Sequence, residues 1–87
     1  MDTPNANVRV IKRYNNRKFY DTEASTYVGI REIIALYREV PEGLIVVSNA
    51  TGQDITAETI VSGVKETAND DLGYAAKIVE LVKEGKL

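Results

Sequence analysis

Cysteine, histidine and tryptophan are absent from these 87 residues, and methionine occurs once. Without cysteine neither a disulfide framework nor a thiolate metal site can form, and the natural reading is a chain suited to a reducing, cytoplasmic setting. Without histidine the commonest general base and metal ligand is missing, leaving carboxylates, lysines and tyrosines as the only candidate catalysts. Ser25, Ser48 and Ser62 have no histidine to activate them, so an enzyme is not expected. No cofactor and no metal site are expected either. No apolar run approaches the roughly 18 residues of a membrane span, and residues 1–6 lack the charged-then-apolar order of a signal peptide.

What is present is unevenly placed. The net charge is -2, which taken whole argues against a nucleic-acid partner. Residues 1–20, however, hold five bases (Arg9, Lys12, Arg13, Arg17, Lys18) against one acid, while the remaining 67 residues hold six bases against twelve acids. The chain is therefore polarised, +4 at one end and -6 over the rest. Such a distribution aims a basic surface at an anionic partner and discourages contact elsewhere.

Composition and length, with 44% hydrophobic residues, suit one small domain over residues 1–87, near the size at which a core is adequate but not generous. Residues 1–7 read as a flexible start, 8–56 as a β/α part and 57–87 as a helical pair. Residues 8–14 (VRVIKRY) and 17–22 make two strands, with Asn15-Asn16 as the turn, since asparagine tolerates positive φ. That register sets Tyr14 against Arg17, Arg13 against Lys18, Lys12 against Phe19 and Ile11 against Tyr20. A short strand at 25–28 leads to a helix at 30–40, where Ile30, Ile33, Ile34, Tyr37 and Val40 form an apolar stripe ended by Pro41. LIVV at 44–47 reads as a strand covered on both faces, turning at Thr51-Gly52 into a return strand at 53–55. Thr56 is a candidate N-cap for the next helix, with Ala57, Ile60, Val61, Val64 and Ala68 on one side. The last helix puts Leu72, Ala75, Ala76, Val79 and Val82 on one face, a stripe that together with Ile78 and Leu81 is wider than a lone surface helix needs. The surplus points to a subunit contact, and Gly85 is the expected stop. The expected fold class is α+β, a small single domain with two β-hairpins, a helix between them and a C-terminal helical pair.

KRYNNRKFYDT, from Lys12 to Thr22, is the stretch that ordinary core and surface do not explain. In the expected register Arg13 and Lys18 stand opposite one another with Arg9 along the same face, and like charges opposed across strands destabilise a sheet unless an anion lies between them. A two-stranded ribbon enters a DNA major groove, where arginine grips guanine and asparagine grips adenine. The candidate DNA-binding residues are Arg9, Lys12, Arg13, Tyr14, Asn15, Asn16, Arg17 and Lys18, with Asn15, Asn16 and Arg17 at the reading tip. A plain solvated edge is the alternative, its lysines preventing edge-to-edge pairing, and Tyr14, Phe19 and Tyr20 suit a core. Asp70-Asp71 is better explained by helix capping than by a cation, and Thr51-Gly52-Gln53-Asp54 by a turn than by a phosphate loop.

IKRYNNRKFYDTEASTYV (11–28) closely resembles the opening of the polyhydroxyalkanoate synthesis repressors, the bacterial PHB/PHA accumulation regulators, with their I-K-(K/R)-Y-x-N-R-(R/K)-L-Y-D-T and following S-x-Y. VVSNATGQDIT (46–56) resembles a second family stretch ending in T-G-x-D-(I/L)-T. The matching residues are Lys12, Arg13, Tyr14, Asn16, Arg17, Lys18, Tyr20, Asp21, Thr22, Ser25 and Tyr27, and of these Tyr20, Asp21 and Thr22 can lock the fold through backbone amides. Phe19 replaces the usual leucine, and Gly29 stands where a capping threonine is common. The resemblance implies a DNA-binding N-terminal domain of a cytoplasmic, oligomeric repressor of storage-granule genes. Implied partners are double-stranded DNA, further copies in a homodimer or higher homo-oligomer, and polyhydroxyalkanoate granules or their coat proteins, with no membrane. The resemblance further implies, in full-length members, a longer C-terminal region associated with oligomerisation and granule or polymer contact; here only residues 60–87 stand in that place, as expected of an excised or short-form domain or of a relative that regulates another pathway. The rival reading is a protein-interaction or oligomerisation module that docks an acidic partner.

Overall fold

A computed structural model of the chain describes residues 8–15 and 18–87. The expected flexible start at 1–7 and the tip residues Asn16 and Arg17 lie outside the described residues. Four strands form one sheet in the order β3-β2-β1-β4, from β1 (Arg9–Asn15), β2 (Lys18–Asp21), β3 (Thr26–Val28) and β4 (Leu44–Ser48). Helices α1 (Ile30–Glu39), α2 (Thr56–Glu66) and α3 (Leu72–Lys83) complete a mixed α+β fold. β1, β2 and β3 are antiparallel neighbours, whereas β4 runs parallel to β1. A parallel neighbour requires a crossover, and the segment through β2, β3 and α1 supplies it.

The core lies between one face of the sheet and the helices. Ile11, Phe19, Leu44 and Val46 meet Ile33, Ile34, Tyr37, Ile60, Val64 and Ile78 in one buried cluster. α2 is the central helix, packed against α1, α3 and β4. Its Gly63 lets α1 approach closely, since a Cβ there would come within 2.7 Å of Ile30 Cγ1. The α1 stripe is buried at Ile33, Ile34 and Tyr37, and the helix stops at Glu39, just before Pro41. Val40 is exposed beyond it. α3 ends in a Schellman motif: Gly85 adopts φ +73°, with Lys86 N–H bonded to Leu81 C=O and Gly85 N–H to Val82 C=O. Asp71 caps the start of the same helix by accepting from Tyr74 N–H at 3.0 Å, the role expected of the aspartate pair.

Four sequence expectations are corrected. The β1–β2 register is shifted by one: Arg13 pairs with Phe19, Lys12 with Tyr20 and Ile11 with Asp21, and an irregularity follows before Asn15 pairs with Lys18. The physical reason is the core, because only this register sets Phe19 beside Ile11 and Val46, and a one-residue slip sends every side chain of a strand to the other face. The second hairpin shrinks to a single bridge between Val47 and Asp54. Its strand is covered on one face only, with Leu44, Val46 and Ser48 buried and Ile45 and Val47 half-buried. Thr56 is the first helical residue of α2 and not its cap. Its hydroxyl donates to Asp54 at 2.6 Å and accepts from Val46 N–H at 2.8 Å, tying the helix start to β4. The wide apolar stripe of α3, whose inward side the sequence leaves open, divides: Ile78 is buried with Tyr74, Ala75 and Leu81 beside it, while Leu72, Val79 and Val82 face outward.

Among the described residues Asp21 is the one buried acid, 2% exposed. Arg9 donates to it at 2.6 Å, and the Glu23 and Ala24 N–H groups donate to its other oxygen at 2.9 and 3.1 Å. Thr22 adds a hydroxyl bond of 2.7 Å to the Val10 carbonyl. These contacts clamp β1, β2 and the turn that follows. Arg9→Ala leaves the Asp21 carboxylate buried without its cation and is expected to lower unfolding free energy by about 3 kcal/mol; a loss under 1 kcal/mol in urea titration would show the clamp to be dispensable.

Acid should loosen the fold from a separate quarter. Hydrogen bonds from the Thr56 hydroxyl and N–H hold the Asp54 carboxyl below the usual carboxylate range, and the Tyr74 N–H followed by Arg38 does so for Asp71. A carboxyl depressed by folding adds stability above its unfolded value, and that stability disappears as pH falls through the folded value. Melting temperature should therefore hold steady with respect to these groups above about pH 5 and fall below about pH 4. The Asp54→Asn, Asp71→Asn double variant should be less stable at neutral pH and decline less steeply in acid.

Candidate nucleic-acid interface

Alternation along the strands sorts the basic stretch into two sets. Arg9 and Arg13 share the covered face with Ile11 and Phe19; Lys12 and Lys18 share the uncovered face with Tyr14, Tyr20 and Tyr27. The expected opposition of Arg13 and Lys18 is therefore absent. Both arginines are engaged by acids: Arg9 by Asp21 and by Glu23 at 2.8 Å, and Arg13 by Glu58 at a longer 3.5 Å. Lys12 and Lys18 form no ion pair among the described residues.

The aromatic side chains divide in the same way. Phe19 is core, 5% exposed, as the sequence suggests. Tyr14, by contrast, is 46% exposed and belongs to a surface cluster, because its strand position points away from the helices. Tyr27 is the hub of that cluster. Its ring lies edge-on to Tyr20 at 5.1 Å and to Tyr14 at 6.5 Å, and the Lys18 ammonium sits 5.0 Å from its centroid. Tyr27 is 54% exposed and pairs across strands with Tyr20. Composition and charge gave no reason to single it out among candidate contacts; the available signal was the third strand, which continues the alternation from Lys12 through Tyr20. Half-buried Val10, Ile45 and Val47 floor the rest of this face.

The uncovered face thus joins two lysines to three aromatic rings at the hairpin end of the sheet, beside Asn15. Lysine supplies point charges for phosphate, and exposed rings offer flat apolar area against sugars and bases. The helical layer has the opposite character, and two of its bases are committed internally: Arg31 pairs with Asp70, and Arg38 with Asp71 at 2.7 Å. Arg38 also stacks over the Tyr74 ring at 4.2 Å.

A small α+β domain with one bare, basic and aromatic sheet face is the class these features define. The chain belongs to the PHB/PHA accumulation regulator DNA-binding domain family, whose model matches residues 10–71. It is also similar to a protein of Thiocystis violacea described as an uncharacterized protein in the phbA 5' region, with 30% identity over 77 residues. That match covers 86% of this chain, which spans 55% of the relative's length. No solved structure matches the chain. Among the described residues no helix is long and apolar enough to cross a membrane.

The face assignment is open to a direct check on stability. Phe19→Ala should cost about 3–5 kcal/mol, as expected for emptying a buried aromatic site, whereas Tyr14→Ala on the outer face should cost less than about 1 kcal/mol. Equal losses for the two variants would contradict the register.

Proposed function

We propose that this chain is the DNA-contacting part of a cytoplasmic transcriptional regulator, a repressor of genes for polyhydroxyalkanoate storage, and that it grips double-stranded DNA with the bare face and tip of the β1–β2 hairpin. The observation that carries this reading is the sorting of the bases: the arginines on the covered face are held by acids, while Lys12 and Lys18, beside Tyr14, Tyr20 and Tyr27, have no acid partner among the described residues. In this mechanism Lys12 and Lys18 bind phosphates, Tyr14 packs on the backbone, and Asn15 together with Asn16 and Arg17, which follow it in sequence, supplies the contacts to base edges. Arg9 and Arg13 act by holding the hairpin in register. Family membership supports DNA as the partner, and the phbA context of the relative supports the storage pathway.

A single hairpin offers few contacts, so useful affinity needs two copies on a pseudo-palindromic site. The outward Leu72, Val79 and Val82 of α3 favour self-association as its source. The same apolar face supports the rival reading, attachment to a granule coat protein or the granule itself.

Fluorescence anisotropy decides between these. A labelled duplex from upstream of a phb gene and a scrambled duplex would be titrated at several salt concentrations. Lys12→Ala, Lys18→Ala should reduce the slope of log K against log salt by about 2. Lys77→Ala on α3, which removes one positive charge from the helical layer, should leave the slope unchanged. A folded double variant that binds like the parent would sink the reading.

A further inference from the structure

Behind the hairpin, on the covered side of the sheet, a cleft of about 280 Å³ opens between β1, β2 and the flank of α2. Phe19 and Ile30 give it apolar walls, and Arg13, Glu58 and Glu66 stand around it. Thr59 lines it too. That side chain is 4% exposed, and its hydroxyl has no hydrogen-bond partner among the described residues. Buried hydroxyls are nearly always bonded, so an orphan in the wall of a cleft marks the place of a missing polar atom.

The charges around the cleft say which kind of molecule would bring that atom. Arg13 and Glu58 lie 3.5 Å apart and largely offset one another. Glu66 forms no ion pair among the described residues, and it is the last residue of α2, where the unpaired carbonyls of a helix end add further negative character. The balance of the rim is negative. An anion would meet repulsion at one end and competition from Glu58 at the other, whereas an ammonium group at Glu66 would be held by both carboxylate and helix end. Glu66 lies seven residues beyond Thr59 along α2, and helical side chains lean back toward the N-terminus. A short aliphatic chain therefore spans the two.

We propose that this cleft binds a small aliphatic amine with a second polar group, its ammonium at Glu66, its chain against Phe19 and Ile30, and its other polar atom bonded to the Thr59 hydroxyl. The site lies on the opposite face of the sheet from the proposed DNA contact, so it stands or falls independently of that reading.

Titration of the isotopically labelled chain with 6-amino-1-hexanol, followed by amide shifts at Ile30, Thr59, Ser62 and Gly63, tests the proposal. Saturable shifts at these positions are expected, with binding at least about tenfold tighter than for 1,6-hexanediol or 6-hydroxyhexanoate, which keep the chain length but lose or reverse the charge. Glu66→Gln is exposed and Thr59→Val is isosteric, so both should fold, and each should weaken binding by about fivefold or more. Absence of saturation, equal or tighter binding of the hydroxy acid, or unchanged affinity in both variants would each overturn it.

Discussion

Everything about this surface depends on which residues of β2 turn inward. Lys18, Phe19, Tyr20 and Asp21 alternate, so burying Phe19 beside Ile11 obliges Asp21 to enter the same layer and sends Lys18 and Tyr20 out. A lone carboxylate there would be costly, since burial strips its hydration. Arg9 makes it tolerable with a 2.6 Å bond, and two backbone N–H groups complete its shell. The inward acid and the outward lysines are thus one choice seen from two sides. A register that exposed Asp21 would bury Lys18 in its place, with no acid on the neighbouring strands to receive it.

The same constraint distinguishes arginine from lysine in the basic stretch. Arginine can share a partly covered layer because its planar fork matches carboxylates held at fixed positions. Arg9 uses both terminal nitrogens in this way, one on Asp21 and one on Glu23. Lys12 and Lys18 occupy the layer where long stems lie along apolar and aromatic surface while the ammonium reaches water. Counting bases along the sequence therefore overstates the charge presented to a partner, because part of it is already spent on the fold.

Much of the architecture was legible in the sequence, and the misreadings share a cause. Helical spacing found α1 through Ile33, Ile34 and Tyr37, Pro41 marked its end, and Gly85 marked the end of α3. The family was legible in KRYNNRKFYDT and TGQDIT. Register was not, because KFYD reads equally well either way until Arg9 is known to reach Asp21 from twelve residues away. The parallel partner of β1 was hidden for a similar reason: LIVV announces a strand but not its neighbour. On α3 an apolar stripe wide enough to wrap the helix left its inward side undefined, and Ile78, not Val79, turned out to meet the core. Local periodicity names elements; contacts distant in sequence decide what they face.

The two layers also carry charge differently, and this gives the molecule a direction. The excess of acids after residue 20 falls largely on the helices and their connections, and the pairs Arg31 with Asp70 and Arg38 with Asp71 neutralise two of the few bases there. What remains is a negative helical layer behind a sheet whose bare face holds Lys12 and Lys18. A polyanion approaching from the helical side meets repulsion that extends roughly a Debye length, about 8 Å at physiological salt. From the bare side it first meets the ammonium groups of Lys12 and Lys18, which form no ion pair among the described residues. A modest total charge is then no obstacle to binding an anionic partner, since the field that such a partner feels is set by the nearest face and not by the sum.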